Sequence, residues 1–220
     1  REGRKRAEKA KDNVDPAQYV HNMGLNDFYT DLVEMNQVKN KGGFTKYEGD
    51  NKPNLEQLTK KYGETKAAAI VKSFEKGSNA ANIDNDIFIF QKNIKQGMAT
   101  TELSVESQIA AVAPMHELLH MQNRKAGIVK DGVVVEQATE AINQLNGVMK
   151  EKLDLGKITQ EQYDNFEARK DLYTDQSKQK KGVDVEELLN LYGDFVSIGV
   201  LTPSSLNGMY GIKNFIKFSK

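Results

Sequence analysis

Residues 115–121 read Met-His-Glu-Leu-Leu-His-Met, and the chain has only two further chemical curiosities of this rank: it holds three histidines in all and no cysteine. Two of the three histidines, His116 and His120, stand four residues apart. On a helix, positions i and i+4 share one face, so both imidazoles can reach a single cation. Glu117 is rotated from that face but stays within reach of a water beside the cation. There it can take a proton as the water attacks a carbonyl. The chemistry this spacing points to is zinc-assisted hydrolysis, with Zn2+ as cofactor, His116 and His120 as ligands and Glu117 as general base.

A catalytic zinc site uses three protein ligands and keeps one position open. The longer pattern H-E-x-x-H-x-x-G-x-x-H would place a glycine and a third histidine at 123 and 126. Those positions hold Asn123 and Ala126, so that arrangement is excluded. The remaining solution is a carboxylate returned by a second helix. Glu140 stands twenty residues after His120, beyond a hairpin signal, and a helix–hairpin–helix path would bring it back beside the histidines. Glu136, one turn earlier, is the alternative. His21, in an early helix, is read as an ordinary residue, and Met115 and Met121 as packing.

This constellation resembles the gluzincins, the thermolysin-like branch of the zincin metallopeptidases. His116-Glu117-Leu118-Leu119-His120 matches their motif helix. Thr139-Glu140-Ala141-Ile142-Asn143-Gln144 is similar to the segment that supplies their glutamate ligand. The resemblance covers residues 83–150 and implies a zincin-like fold, a strand ahead of the motif helix that lines the substrate cleft, and a peptide or protein substrate. Three departures stand out. Gln144 occupies the place where the family often has an Asp holding the first histidine. No histidine follows His120, so an oxyanion-stabilising role would fall to Tyr163, Tyr173, Tyr192 or Tyr210. Pro114 lies two residues before the first ligand.

The elements that must position these residues are mostly helical. Asp15-Pro16 has the form of a helix start. Tyr19, Val20, Met23, Phe28, Leu32, Val33 and Met35 follow at helical spacing, with a potential break at Gly24. Residues 40–53, rich in Gly, Lys and Asn, read as a loop. Pro53-Asn54 opens a helix that should run to Gly77. Ile83–Phe90 reads as the best strand, with four consecutive β-branched or aromatic residues. A helix from Ser104 should kink or restart at Pro114. Asp131-Gly132 between Ile128-Val129 and Val133–Val135 signals a hairpin, and a helix follows from Glu136 to Lys152. Thr159 and Gln162 have capping-box spacing, Ser177–Gly182 reads as a loop, and final helices begin near Asp184 and Pro203. The expected fold is α+β and zincin-like, mostly helical. Its small sheet is built from strand 83–90 and hairpin 128–135, and a C-terminal helical subdomain completes it. The regions are 1–80 helical, 81–156 a metal-binding core and 157–220 helical.

Net charge is zero, from 31 basic and 31 acidic residues, so no global field favours nucleic acid or a membrane. Residues 1–11 are locally basic and read as a solvated helix. Without cysteine, disulfides and thiolate zinc sites are excluded. No signal peptide or bilayer-length apolar stretch is evident, which leaves location open between a virion-associated and a cytoplasmic protein. Arg1 in place of Met suggests a processed product or a domain of a larger polypeptide or assembly. The second functional expectation follows from this and from the polar composition. It is a catalytically inactive zincin-like structural or interaction domain, similar in style to the lysine- and asparagine-rich domains of phage proteins.

Overall fold

The computed structural model describes residues 15–100, 104–127, 129–130, 133–134, 136–174 and 185–202, with backbone alone at 100, 104, 129–130, 133–134, 136–143, 174 and 185. The fold is α+β and mostly helical. The chain forms two compact units, Arg1–Leu118 and Leu119–Lys220, and the division falls inside one continuous helix.

The first unit begins with α1 (Pro16–Lys39), capped by Asp15, whose side chain accepts from the amide of Ala17 at 2.9 Å. Strand β1 (Phe44–Tyr47) follows, then α2 (Leu55–Tyr62) and α3 (Glu64–Glu75). Asn54 caps α2 through the Gln57 amide, as the Pro-Asn start predicts. The expected single helix is split at Gly63, whose φ of 79° no other residue type adopts cheaply. Strands β2 (Ala80–Ile83) and β3 (Asp86–Phe90) form a hairpin, and α4 (Gln91–Thr100) and α5 (Ser104–Ala111) come next.

The sheet has the order β1-β3-β2, with β1 parallel to β3 (Phe44 beside Ile87) and β2 antiparallel to it (Ala80 beside Ile89). Two expectations are corrected here. Ile83–Phe90 is not one strand, because Asp84 takes a positive φ of 55° and Asp84-Asn85 turns the chain; Asp and Asn tolerate that region through local hydrogen bonds. Residues 40–53 are not all loop, because Phe44–Tyr47 supply the strand that flanks β3. The sheet is therefore built without the hairpin near residue 130. Central β3 carries Ile87, Phe88, Ile89 and Phe90, all essentially inaccessible, and such a continuous apolar run marks a strand covered on both faces. Phe88 and Phe90 pack with Leu58, Ala67 and Ile70 from α2 and α3.

Helix α1 buries only part of its expected apolar face: Val33 is fully buried and Tyr19, Met23 and Leu32 partly so, but polar residues share the inward side. Phe28 is 60% exposed and Val20 70%, whereas Asn22, Asn26 and Gln37 are fully buried. The reason is hydrogen bonding. Asn22 donates to Ser107 at 2.8 Å, Gln37 donates to the carbonyls of Gly43 and Asn85, and Asn26 accepts from Gln91 at 2.7 Å while donating to the Ala111 carbonyl at 2.8 Å. Ala111 ends α5, and the amide of Met115, which a continuous helix would send to it, goes instead to Val112 at 2.9 Å. The break ahead of Pro114 frees a buried carbonyl, and Asn26 takes it. Asn26→Ala should therefore lower stability by about 2–4 kcal/mol, because it strands a buried acceptor and a buried donor. A urea titration of the metal-free chain measures this.

Pro114 sits in the first turn of α6 (Ala113–Lys125), so the expected restart at this proline is observed. The second unit takes α6 from Leu119 onward. It continues with hairpin β4 (Val129–Lys130) and β5 (Val133–Val134), then α7 (Glu136–Asp154), α8 (Gln160–Thr174) and α9 (Val185–Ser197). The hairpin is a separate two-stranded sheet pairing Val129 with Val134. The capping box before α8 forms in both directions: the Thr159 hydroxyl accepts from the Gln162 amide at 3.1 Å, and the Gln162 side chain accepts from the Thr159 amide at 2.9 Å. Leu145, Met149, Phe166, Leu189 and Phe195 are buried here, with Phe166 and Phe195 edge to face at 5.7 Å. The expected basic helix 1–11, loop 177–182 and helix from Pro203 lie outside the described residues.

Candidate metal centre

Helix α6 presents His116 and His120 one turn apart. Leu118 and Leu119 are buried, which fixes the helix's rotation and leaves His116 half-buried and His120 6% exposed. The helix itself holds the two imidazoles to each other. His120 is then met inside the second unit by the first turn of α9. Its Nε2 lies 3.2 Å from Glu187 Oε1, and its Nδ1 lies 2.6 Å from Glu186 Oε1. Ligand atoms of His116, His120 and Glu187 all lie within 4.8 Å of one another. Two donors of a tetrahedral zinc, each about 2.0–2.2 Å from the ion, stand roughly 3.3–3.6 Å apart. The His120–Glu187 separation is already close to that.

What seats α9 against α6 is a short ladder of contacts within the second unit. Asn123 donates to Asn190 at 2.9 Å, both buried. One turn further along α9, Gly193 lies so close that a Cβ there would stand 2.1 Å from Leu119 Cδ1. Glycine is used here for its size. Gly193→Ala should be nearly neutral, because a swing of the Leu119 methyl is offset by about 1 kcal/mol of better helix propensity. Gly193→Val admits no such escape. It is expected to lower stability by about 1–3 kcal/mol and to weaken metal binding, since Glu186 and Glu187 ride on the displaced helix. Thermal melts with and without zinc check both.

Two carboxylates facing one imidazole leave room for positive charge alone at Nε2, a proton or a metal ion. Burial pushes the Glu186 carboxyl up, but the hydrogen bond with His120 and the charges of His120 and Arg124 outweigh it and leave it below the usual range. Arg124 reaches the same Oε1 at 2.9 Å. The donor set, two nitrogens and one carboxylate oxygen with a carboxylate behind one imidazole, is what zinc takes at hydrolytic centres.

The expected site residues fall out as follows. His116 and His120 are brought together. Glu117, next to His116, accepts a hydrogen bond from the amide of Asn82 on edge strand β2. Glu140 and its alternative Glu136 lie in α7, and their side chains are outside the described residues, as is Tyr210. Gln144, also on α7, is exposed. Tyr192 is buried, its hydroxyl donates to the Thr202 carbonyl at 3.0 Å, and burial pushes its pKa up to about 12. Glu187 and Glu186 are absent from the sequence expectation. Their one signal, an acidic pair opening an apolar helix, is what any helix start favours through its dipole, so it did not distinguish them. Among the described residues no helix is long and apolar enough to cross a membrane. No protein-family model, curated protein or solved structure matches this chain.

Proposed function

We propose that the chain is a zinc-dependent metallopeptidase of the gluzincin type with a zincin-like core, hydrolysing peptide bonds in a peptide or protein substrate. The observation that carries this is the convergence of His116, His120 and Glu187 around a common point, with Glu117 adjacent on the same helix. The three side chains would hold the ion. Zinc there would supply Lewis acidity, polarising the scissile carbonyl and making water acidic enough to attack at neutral pH. Glu117 takes the proton from the attacking water and returns it to the leaving amine. Asn82, donating to the Glu117 carboxylate, restrains that side chain without neutralising it. Glu186 and Arg124 keep His120 in place.

The test is digestion of a broad peptide library by the purified chain. Cleavage removed by a chelator, restored by zinc and absent from Glu117→Gln supports the proposal; a zinc-loaded chain that cleaves nothing in the library defeats it. The second reading, a zincin-like structural or interaction domain within a larger polypeptide, draws on one observation. The Glu117 carboxylate is already engaged by Asn82, which a purely structural role would tolerate. Under that reading zinc binds and no peptide is cut.

A further inference from the structure

Glu186 and Glu187 are neighbours in sequence, yet they address different atoms of His120. Glu187 faces Nε2 at 3.2 Å, and Glu186 faces Nδ1 at 2.6 Å. An imidazole ligates through one nitrogen, and the choice is set by what the other nitrogen bonds. We infer that Glu186 is the positioning residue of the metal centre: it accepts the Nδ1–H of His120, fixes the tautomer, and leaves Nε2 as the ligating atom beside Glu187.

The surroundings of Glu186 separate it from Glu187. Its side chain is 14% exposed, half as much as Glu187 at 26%. Arg124 lies one turn after His120 on α6, so the imidazole and the guanidinium grip the same Oε1 from one helix face, at 2.6 and 2.9 Å. An oxygen already holding a guanidinium is a poor place for a second cation, and Glu186 is not among the three residues whose ligand atoms converge. Glu187 points the same helix turn at the nitrogen that remains. A carboxylate behind a ligating histidine orients the ring and raises its basicity. The carboxylate that the family resemblance leads one to seek at position 144 is here supplied by a different helix and to the second histidine. All the contacts involved, His120, Arg124, Glu186 and Glu187, lie within one unit.

This inference rests on the zinc-centre reading, and the experiment separates the two. Zinc affinity of the whole chain is measured by competition with a chromophoric chelator for wild type, Glu186→Gln, Glu186→Asp and Glu187→Gln. The ring nitrogens of the zinc-loaded wild type are observed by 15N NMR, where three histidines make assignment simple. The expected result is an Nε2-bound His120 with a retained Nδ1–H. Glu186→Gln should weaken zinc by about 10–100-fold, measured where the metal-free chain is fully folded, and should also lower the metal-free melt, because the same carboxylate holds Arg124; Glu186→Asp should recover part of the loss of affinity. A merely structural role would move the metal-free melt and leave the zinc affinity of the folded chain unchanged. Zinc bound through Nδ1 of His120, or wild-type affinity in Glu186→Gln, would overturn the inference while leaving the centre standing. If a variant does not fold, the wild-type ring spectrum decides alone. A wild type that takes up no zinc overturns both.

Discussion

His120→Ala will lose both the metal and every zinc-dependent activity. Zinc binding of order 10 kcal/mol or more, spread over three or four donors, assigns about 3 kcal/mol to each, or roughly a hundredfold in affinity. His120 carries more than an average share. Of the three proposed ligands it alone is buried, and its two ring nitrogens meet both Glu186 and Glu187. Deleting the ring removes one proposed donor directly and takes the imidazole away from both Glu187 and Glu186. The loss should therefore exceed the per-donor figure by a clear margin. Chelator competition and elemental analysis measure it, and circular dichroism confirms that α6 persists. Retention of stoichiometric zinc by this variant would place the ion elsewhere.

Glu117→Gln should have the opposite profile, keeping the zinc and losing the chemistry. Glu117 does not belong to the converging donor set, so affinity should change little. The amide has the size of the carboxylate but cannot take a proton from water. General-base catalysis contributes about 10²- to 10⁴-fold, and kcat should fall by that factor with KM nearly unchanged. Asn82 can still hydrogen-bond the amide oxygen, so the side chain keeps its place and the effect is confined to the proton. Equal fall of zinc content and rate would show that Glu117 acts through the metal; an unchanged rate would remove it from the mechanism.

Local signals are legible in the sequence wherever a single residue type dictates backbone behaviour. Asp15 and Asn54 cap the helices that their types and positions predict, Pro114 restarts α6, and Thr159 with Gln162 closes a capping box. The H-E-x-x-H spacing places two imidazoles on one helix face for the same reason, since the 3.6-residue period is local. What escapes the sequence is long-range. The buried side of α1 carries Asn22, Asn26 and Gln37 beside Val33, while Val20 and Phe28 stay exposed, because the amides answer hydrogen-bonding needs of Ser107, Ala111, Gly43 and Asn85, residues that only the fold brings near. Periodicity sees an apolar stripe and cannot see those partners. Strand β1 is hidden in a Gly- and Lys-rich stretch because its stability comes from pairing with β3 rather than from its own composition. Glu187 is the same kind of case. It lies 67 residues beyond His120 in sequence, and no local pattern connects them. Gly193 gives no warning either: a glycine in mid-helix looks like a weakness until Leu119 is found against it.

The measurement closest to the centre of this account is the metal content and donor set of the purified 220-residue chain, by elemental analysis together with a zinc-edge absorption spectrum of wild type and Glu187→Gln. The expected result is one zinc per chain, with two imidazole nitrogens at about 2.0–2.1 Å and a carboxylate oxygen at about 2.0–2.2 Å, the oxygen lost in Glu187→Gln. A chain that holds no stoichiometric zinc contradicts the account, and an unaltered spectrum in Glu187→Gln transfers the third ligand from α9 to another carboxylate, Glu140 on α7 being the first to examine.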